Sequence, residues 1–208
     1  MPGVPNPSSM EAYYEQRAAE YDDWYLGRGR FADRVRPGFA EEVDRISAAL
    51  ASMAPVRTLD VGCGTGFMTR HLPGGVVGVD RSLGMLREAG PRIADPRVCA
   101  DALRLPFRDA AFDRVFAGHV YGHLTPDRAR AFLPEVSRLA PELVLLESAI
   151  RSDVRPEEIQ ERVLNDGSAH RVYKRYFGAD ELARELGSAL PIFRGRWFVL
   201  LRSTRPPA

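Results

Sequence analysis

The chain has 208 residues, of which 45% are hydrophobic and 27% charged, with a formal net charge of +1 and a pI near 7.8. That suits one well-cored domain and excludes two sizeable ones, and the balanced charge gives no global drive toward nucleic acid. Two cysteines, Cys63 and Cys99, fit no metal-ligand spacing and suggest a reduced, cytoplasmic protein; no run of ~20 apolar residues suggests a membrane span. Lys174 is the only lysine among 29 basic residues, which reflects genome composition more than activity.

Residues 1–10 are rich in proline and serine and read as a disordered start with no signal-peptide pattern. Glu11 to Tyr25 is helical in pattern, with Tyr13, Tyr14, Arg17, Tyr21, Trp24 and Tyr25 at steps of three and four. This stripe is either core or a lid. The Gly27-Arg28-Gly29-Arg30 turn ends it, and a second helix from about Gly38 to Met53 leads into the first strand. Arg28, Arg30, Arg34 and Arg36 form a local basic cluster, offset by Asp22, Asp23, Asp33, Glu41 and Glu42.

Leu59-Asp60-Val61-Gly62-Cys63-Gly64-Thr65-Gly66 is the most informative run: a buried strand breaking into three alternate glycines. Phe67 to Leu72 then reads as a helix start, with His71 exposed on that helix. Glycine lets a ligand approach the main chain where a Cβ would clash. A dinucleotide fingerprint is G-x-G-x-x-G. Here the third glycine comes one residue early, and Asp60 stands two positions before the first, a poor neighbour for pyrophosphate and a good one for an ammonium group. An ordinary tight turn is the competing reading for Gly62, Gly64 and Gly66.

Gly75 to Asp80 is a second apolar run ending in an acid, 14 residues beyond Gly66. Such an acid can accept from ribose hydroxyls or cap a helix. Ser82 is the expected N-cap of the next helix, which carries Met85 and Leu86. A third strand near 97–100 exits at Asp101-Ala102. Phe112 to Gly118 is the fourth strand, opened by Asp113 with a structural role and followed by His119, Tyr121 and His123. A helix from about Pro126 to Leu139 precedes the strand Leu143–Glu147. Arg151 to Phe177 is polar and reads as a cap over the carboxyl edge of the sheet. Ala179 to Leu190 reads as a short helix, and Pro191 to Leu201 as a hairpin turning at Gly195.

D-x-G-x-G-x-G, with Asp80, Asp101 and the Phe112-Asp113-Arg114-Val115 opening in the right order, resembles the class I S-adenosylmethionine-dependent methyltransferases. Within that family the chain resembles the small-molecule group of ubiquinone and menaquinone biosynthesis. The resemblance covers residues 11–204. It implies an α/β, doubly wound, mostly parallel seven-stranded sheet with helices on both faces and a C-terminal antiparallel hairpin. It divides the single domain into a helical lid (11–54), a cofactor-binding core (55–150), a cap segment (151–178) and a closing helix and hairpin (179–204).

The implied cofactor is S-adenosylmethionine, leaving S-adenosylhomocysteine as product. The implied contacts are Asp60, Gly62, Gly64 and Gly66; Asp80 with Arg81 on the ribose side; Met85; Asp101 and the Ala102 N–H on the adenine; Gly118 beside the methionine end; and Tyr21 from the lid. His119 is the candidate general base, because histidine titrates near neutral pH. Tyr13, Tyr121 and His170 are candidate substrate contacts, and His123 is read as a packing residue. Those relatives often carry two adjacent histidines where this chain has Gly122-His123. The expected reaction is in-line methyl transfer to a small molecule, with no metal. The rival readings are an RNA or protein methyltransferase, a cofactor-binding subunit without activity, and, least of all, a nicotinamide dehydrogenase.

Overall fold

The computed structural model describes residues 7–94, 96–187 and 189–204. Its seven-stranded sheet runs in the order β3-β2-β1-β4-β5-β9-β8, from β1 Thr58–Val61, β2 Val76–Asp80, β3 Arg97–Cys99, β4 Arg114–Gly118, β5 Glu142–Ser148, β8 Leu190–Arg194 and β9 Phe198–Ser203. Strands β1 to β5 pair in parallel, while β9 is antiparallel to both β5 and β8. A parallel sheet covered on both faces needs strands apolar on both sides, which is why β1, β4 and β5 are almost wholly buried.

Alternation along those strands feeds two cores. Val115, Ala117, Leu143 and Leu145 face α5 (Pro126–Leu139) and α6 (Ala179–Glu185). Phe116, Val144 and Leu146 face the other way, onto Val43, Ile46 and Leu50 of α3 (Phe39–Ala51). Strand order reverses at β1, whose neighbours are β2 and β4, so the carboxyl ends of β1 and β4 frame a crevice at the switch point. Asp113 stays structural: its Oδ2 accepts from the Arg57 N–H at 2.9 Å, tying the starts of the two strands together.

Several expected boundaries need correction. Residues 1–6 of the expected disordered start lie outside the described residues, but 7–10 form the first turn of α1 (Pro7–Arg17). The expected Glu11–Tyr25 helix is broken, with a 3-10 turn at Ala18–Glu20 before the short α2 (Asp23–Leu26). The expected helix after Gly66 shrinks to one 3-10 turn, Thr69–His71, because Pro73-Gly74-Gly75 stops it and Gly74 takes φ +92°. His71 is accordingly on that turn, and partly buried. The α4 helix (Leu83–Ala89) does begin at Ser82, whose Oγ accepts the Met85 N–H at 3.0 Å. The polar 151–177 segment holds an antiparallel hairpin, β6 (Glu157–Val163) with β7 (Ala169–Arg175), turning through Asn165–Ser168. α6 ends at Glu185, and Leu190 already belongs to β8.

Candidate active site

Two cavities meet above the carboxyl ends of the sheet. The smaller, about 190 Å³, is lined by Gly62, Gly64, Asp80, Met85, Asp101 and Gly118. The chain leaves β1 through left-handed backbone, φ +73° at Gly62 and +53° at Gly64, which a side chain would strain. A Cβ on Gly62 would also lie 2.1 Å from Val120 Cγ2. Asp80, closing β2, accepts from the Gly64 N–H and the Ser82 N–H, both at 2.9 Å. Burial pushes its carboxyl pKa up, and those two N–H groups pull against that rise. Arg81 and Ala102 complete the same wall, and Asp101 lies 3.6 Å from both Arg81 and Arg128. Arg128 sits on the first turn of α5 and carries no sequence signal.

The roof comes from the N-terminal segment. Glu15 accepts from Ser82 Oγ at 2.6 Å and from the Gly84 N–H, clamping α1 onto the start of α4. Asp22 accepts from Thr65 Oγ1 and pairs with Arg92 at 2.6 Å, tying the next turn to the glycine loop. Tyr14 and Tyr21 hang from this roof and line both cavities.

Two of the implied cofactor contacts lie off the cavity. Asp60 is 1% exposed beneath the loop. Its Oδ2 accepts from Thr69 Oγ1, its Oδ1 has no partner among the described residues, and burial raises its pKa to about 7. Gly66 turns the chain against Arg92 and Ile93. Both hold the loop's shape rather than its ligand-facing surface.

His119 stands where the cavities join. It is 8% exposed and held in left-handed backbone at φ +60°, uncommon for a residue with a side chain. The imidazole packs among Trp24, Tyr25 and Phe198, with ring centroids 5.3, 6.2 and 5.6 Å away. Its Nδ1 is 4.0 Å from Glu147 Oε2, and its Nε2 has no partner among the described residues. Burial, reinforced by Lys174 and Arg162, holds its pKa well below the usual histidine range, so the ring is neutral near pH 7.

His123 lines both cavities as well, which corrects its reading as a packing residue. Its Nδ1 donates to the Tyr173 carbonyl at 2.6 Å, which fixes the tautomer with an Nε2 lone pair. Glu147 and Lys174, which no sequence motif marks, form a buried pair 3.5 Å apart behind the two histidines. Glu147 also accepts the Gly122 N–H at 2.9 Å. A Cβ at 122 would lie 2.6 Å from Glu147 Oε2 and 3.0 Å from Lys174 Nζ, so glycine there accommodates this pair.

The larger cavity, about 560 Å³, lies between α1, the 24–39 segment and the β6–β7 hairpin. Tyr13 lines it. Tyr121 and His170 do not: Tyr121 is 1% exposed in the core and donates to Glu185 at 2.6 Å, while His170 packs behind Tyr13 with its Nε2 3.2 Å from Ser168 Oγ. An apolar core and a short hairpin turn claim them instead.

Residues 59–142 match the family model described as a methyltransferase domain. Over 103 residues the chain is 40% identical to a demethylmenaquinone methyltransferase from Roseiflexus sp. (strain RS-1), covering 45% of this chain and 43% of that protein. A malonyl-[acyl-carrier protein] O-methyltransferase from Legionella pneumophila is 43% identical over 77 residues, 33% of this chain and 27% of its own length. The chain thus spans less than half the length of these curated relatives. Among solved structures, a DhpI–SAH complex is 25% identical and superposes with a TM-score of 0.72, covering 97% of each chain.

Proposed function

We propose, from the premise that this chain carries the domain of the class I S-adenosylmethionine-dependent methyltransferases, that it methylates a small molecule by in-line displacement. The observation that carries this reading is the meeting of two cavities at His119, one walled by the glycine turn and Asp80, the other large enough for a small acceptor. The smaller cavity suits S-adenosylmethionine. Asp80 offers carboxylate oxygens at the ribose position, Asp101 and the Ala102 N–H face the adenine side, Met85 offers an apolar surface, and Gly118 leaves room beside His119. When bound, the cofactor supplies a methyl group already activated on a sulfonium.

The protein's own work is alignment, exclusion of water and proton removal. Tyr14 and Tyr21 close the roof over the junction. His119 acts as general base: its Nε2 takes the proton of a neutral nucleophile, which would free that atom's electron pair for the methyl group that the cofactor supplies. Glu147, facing Nδ1, favours the imidazolium formed. Residues 11–54 serve as the lid and 151–178 as the cap that selects the acceptor, in a cytoplasmic setting that suits two free thiols. No helix among the described residues is long and apolar enough to cross a membrane.

Calorimetry tests the reading. S-adenosylmethionine and S-adenosylhomocysteine should each bind once per chain and NAD should not; binding of NAD alone would overturn it.

A further inference from the structure

The two cavities differ in charge, and the larger one is strongly cationic although the whole chain carries a formal net charge of only +1. Arg17, Arg30, Arg34, Arg36 and Arg162 all line it, and among the described residues none of the five has a carboxylate within ion-pair distance. Arg151 and Lys174 line it too, but answer to Asp153 and Glu147. The carboxylates on its wall are Glu20, which accepts the Asn165 N–H, and the exposed Glu161.

Two of the five cations converge. Arg17 is 7% exposed and donates to the Tyr13 hydroxyl at 2.5 Å. Arg162 lies 5.7 Å over the same Tyr13 ring, and its Nε and one terminal N–H both donate to Gln160 Oε1, at 3.1 and 2.8 Å. Arg17 thus has the Tyr13 phenol and Arg162 the Gln160 amide as neutral acceptors, and both border the Tyr13 ring. Burying a charge without a counter-charge is costly, and both guanidiniums bear that cost. An oxyanion in the cavity that both of them line offsets that cost, through the planar, forked hydrogen bonding at which guanidinium excels.

Resting on the reading of this cavity as the acceptor site, we infer that the acceptor is a small oxyanion-bearing molecule, with its anionic group held by Arg17 and Arg162 and its nucleophilic atom presented at His119. The handle is a phosphate-like or carboxylate group, the chemistry the two share. The pocket form favours a small anion over a polynucleotide: Arg30, Arg34 and Arg36, a sequence cluster on its face suited to RNA, turn onto the wall of a concavity with Trp24, Phe31 and Phe39 between them. Arg36 donates to the Trp24 carbonyl at 2.7 Å and Arg30 to the Leu164 carbonyl at 3.0 Å, so both are bound into the wall.

The test is calorimetry on the full chain loaded with S-adenosylhomocysteine, titrated at constant ionic strength with inorganic phosphate, acetate or a short single-stranded RNA. The expected result is saturable phosphate or acetate binding, whichever of the two binds naming the handle. It should weaken about 10- to 100-fold in Arg162→Gln and in Arg17→Gln, each of which still binds S-adenosylhomocysteine as a check on folding. No binding of either small anion to the loaded chain, binding of RNA alone, or affinity unchanged in both variants would overturn the inference and leave the cofactor reading standing. Failure of the unmodified chain to bind S-adenosylhomocysteine would instead bring down the methyltransferase reading, and this inference with it.

Discussion

The cavity under the glycine turn and the cavity under the β6–β7 hairpin share a boundary and almost nothing else. The first is built by consecutive βα units, so its polar groups come from strand ends and main-chain N–H groups of neighbouring units: Gly64 answers Asp80 across 16 positions. The second is assembled from α1, the 24–39 segment and the hairpin, so its chemistry comes from side chains far apart in sequence. Arg17 and Arg162 meet on Tyr13 across 145 positions. A cofactor shared by many proteins can be served by backbone geometry, whereas a particular acceptor has to be met by chosen side chains. The charges differ as well: among the described residues, Asp80, and Asp101 with its paired arginines, line the first, and arginines without an ion-pair partner line the second.

The largest effects are expected where the two cavities join. Glu147→Gln removes the carboxylate that faces both Lys174 and His119, leaving a buried ammonium without its counter-charge. It should cost about 3–5 kcal/mol of stability in chemical denaturation, and pairing it with Lys174→Met should recover most of that. His119→Ala should lower turnover about 10²–10⁴-fold while leaving S-adenosylhomocysteine affinity nearly unchanged, because it removes a proton acceptor rather than a cofactor contact. A loss of affinity matching the loss of rate would move His119 to the cofactor side.

Smaller changes sharpen each side. On the cofactor side, Asp80→Ala should weaken S-adenosylmethionine binding by about 1.5–3 kcal/mol. Unchanged affinity would remove Asp80 from the ribose. On the shared histidines, burial lowers the pKa of both His119 and His123. The unfolded chain therefore binds more protons than the folded one below the ordinary histidine value of ~6.5, so stability falls as pH drops from there. Activity should correspondingly be level above that pH, its acid limb displaced downward. A rate still rising through pH 7 would contradict a neutral His119. Smallest of all, Asp22→Asn breaks the partly exposed link from the roof to Arg92, and should raise proteolysis of the N-terminal segment at a cost of about 1 kcal/mol or less.

The same contrast explains how much of the molecule is legible in its residues alone. Parallel strands advertise themselves as apolar runs, and glycines at a strand end mark a close backbone approach, so β1, β2, β4, β5, the closing hairpin and Gly62, Gly64 and Asp80 show in the sequence, while the short, exposed β3 shows only through the exit at Asp101 that the resemblance marks. The β6–β7 hairpin does not, because Glu157-Glu158-Ile159-Gln160-Glu161-Arg162-Val163 is polar on both faces: one meets solvent and the other turns Gln160 and Arg162 toward a cavity. The 3-10 turn after Gly66 reads as a helix since Phe67 to Leu72 tolerates either, and the stop lies in Pro73-Gly74-Gly75. Tyr121 and His170 stand out by residue type alone, which says nothing of where their side chains pack. Glu147 and Lys174 stay hidden because a strand-end acid and a lone lysine carry no mark of being 3.5 Å apart.

The most direct test of the account is a crystal structure of the chain with S-adenosylhomocysteine bound. The ribose should lie on Asp80, the adenine beside Asp101 and the sulfur toward His119, with the arginine-lined cavity open beyond it. Density for the nucleoside among Arg17, Arg36 and Arg162, or a sulfur facing away from His119, would contradict the assignment of the two cavities.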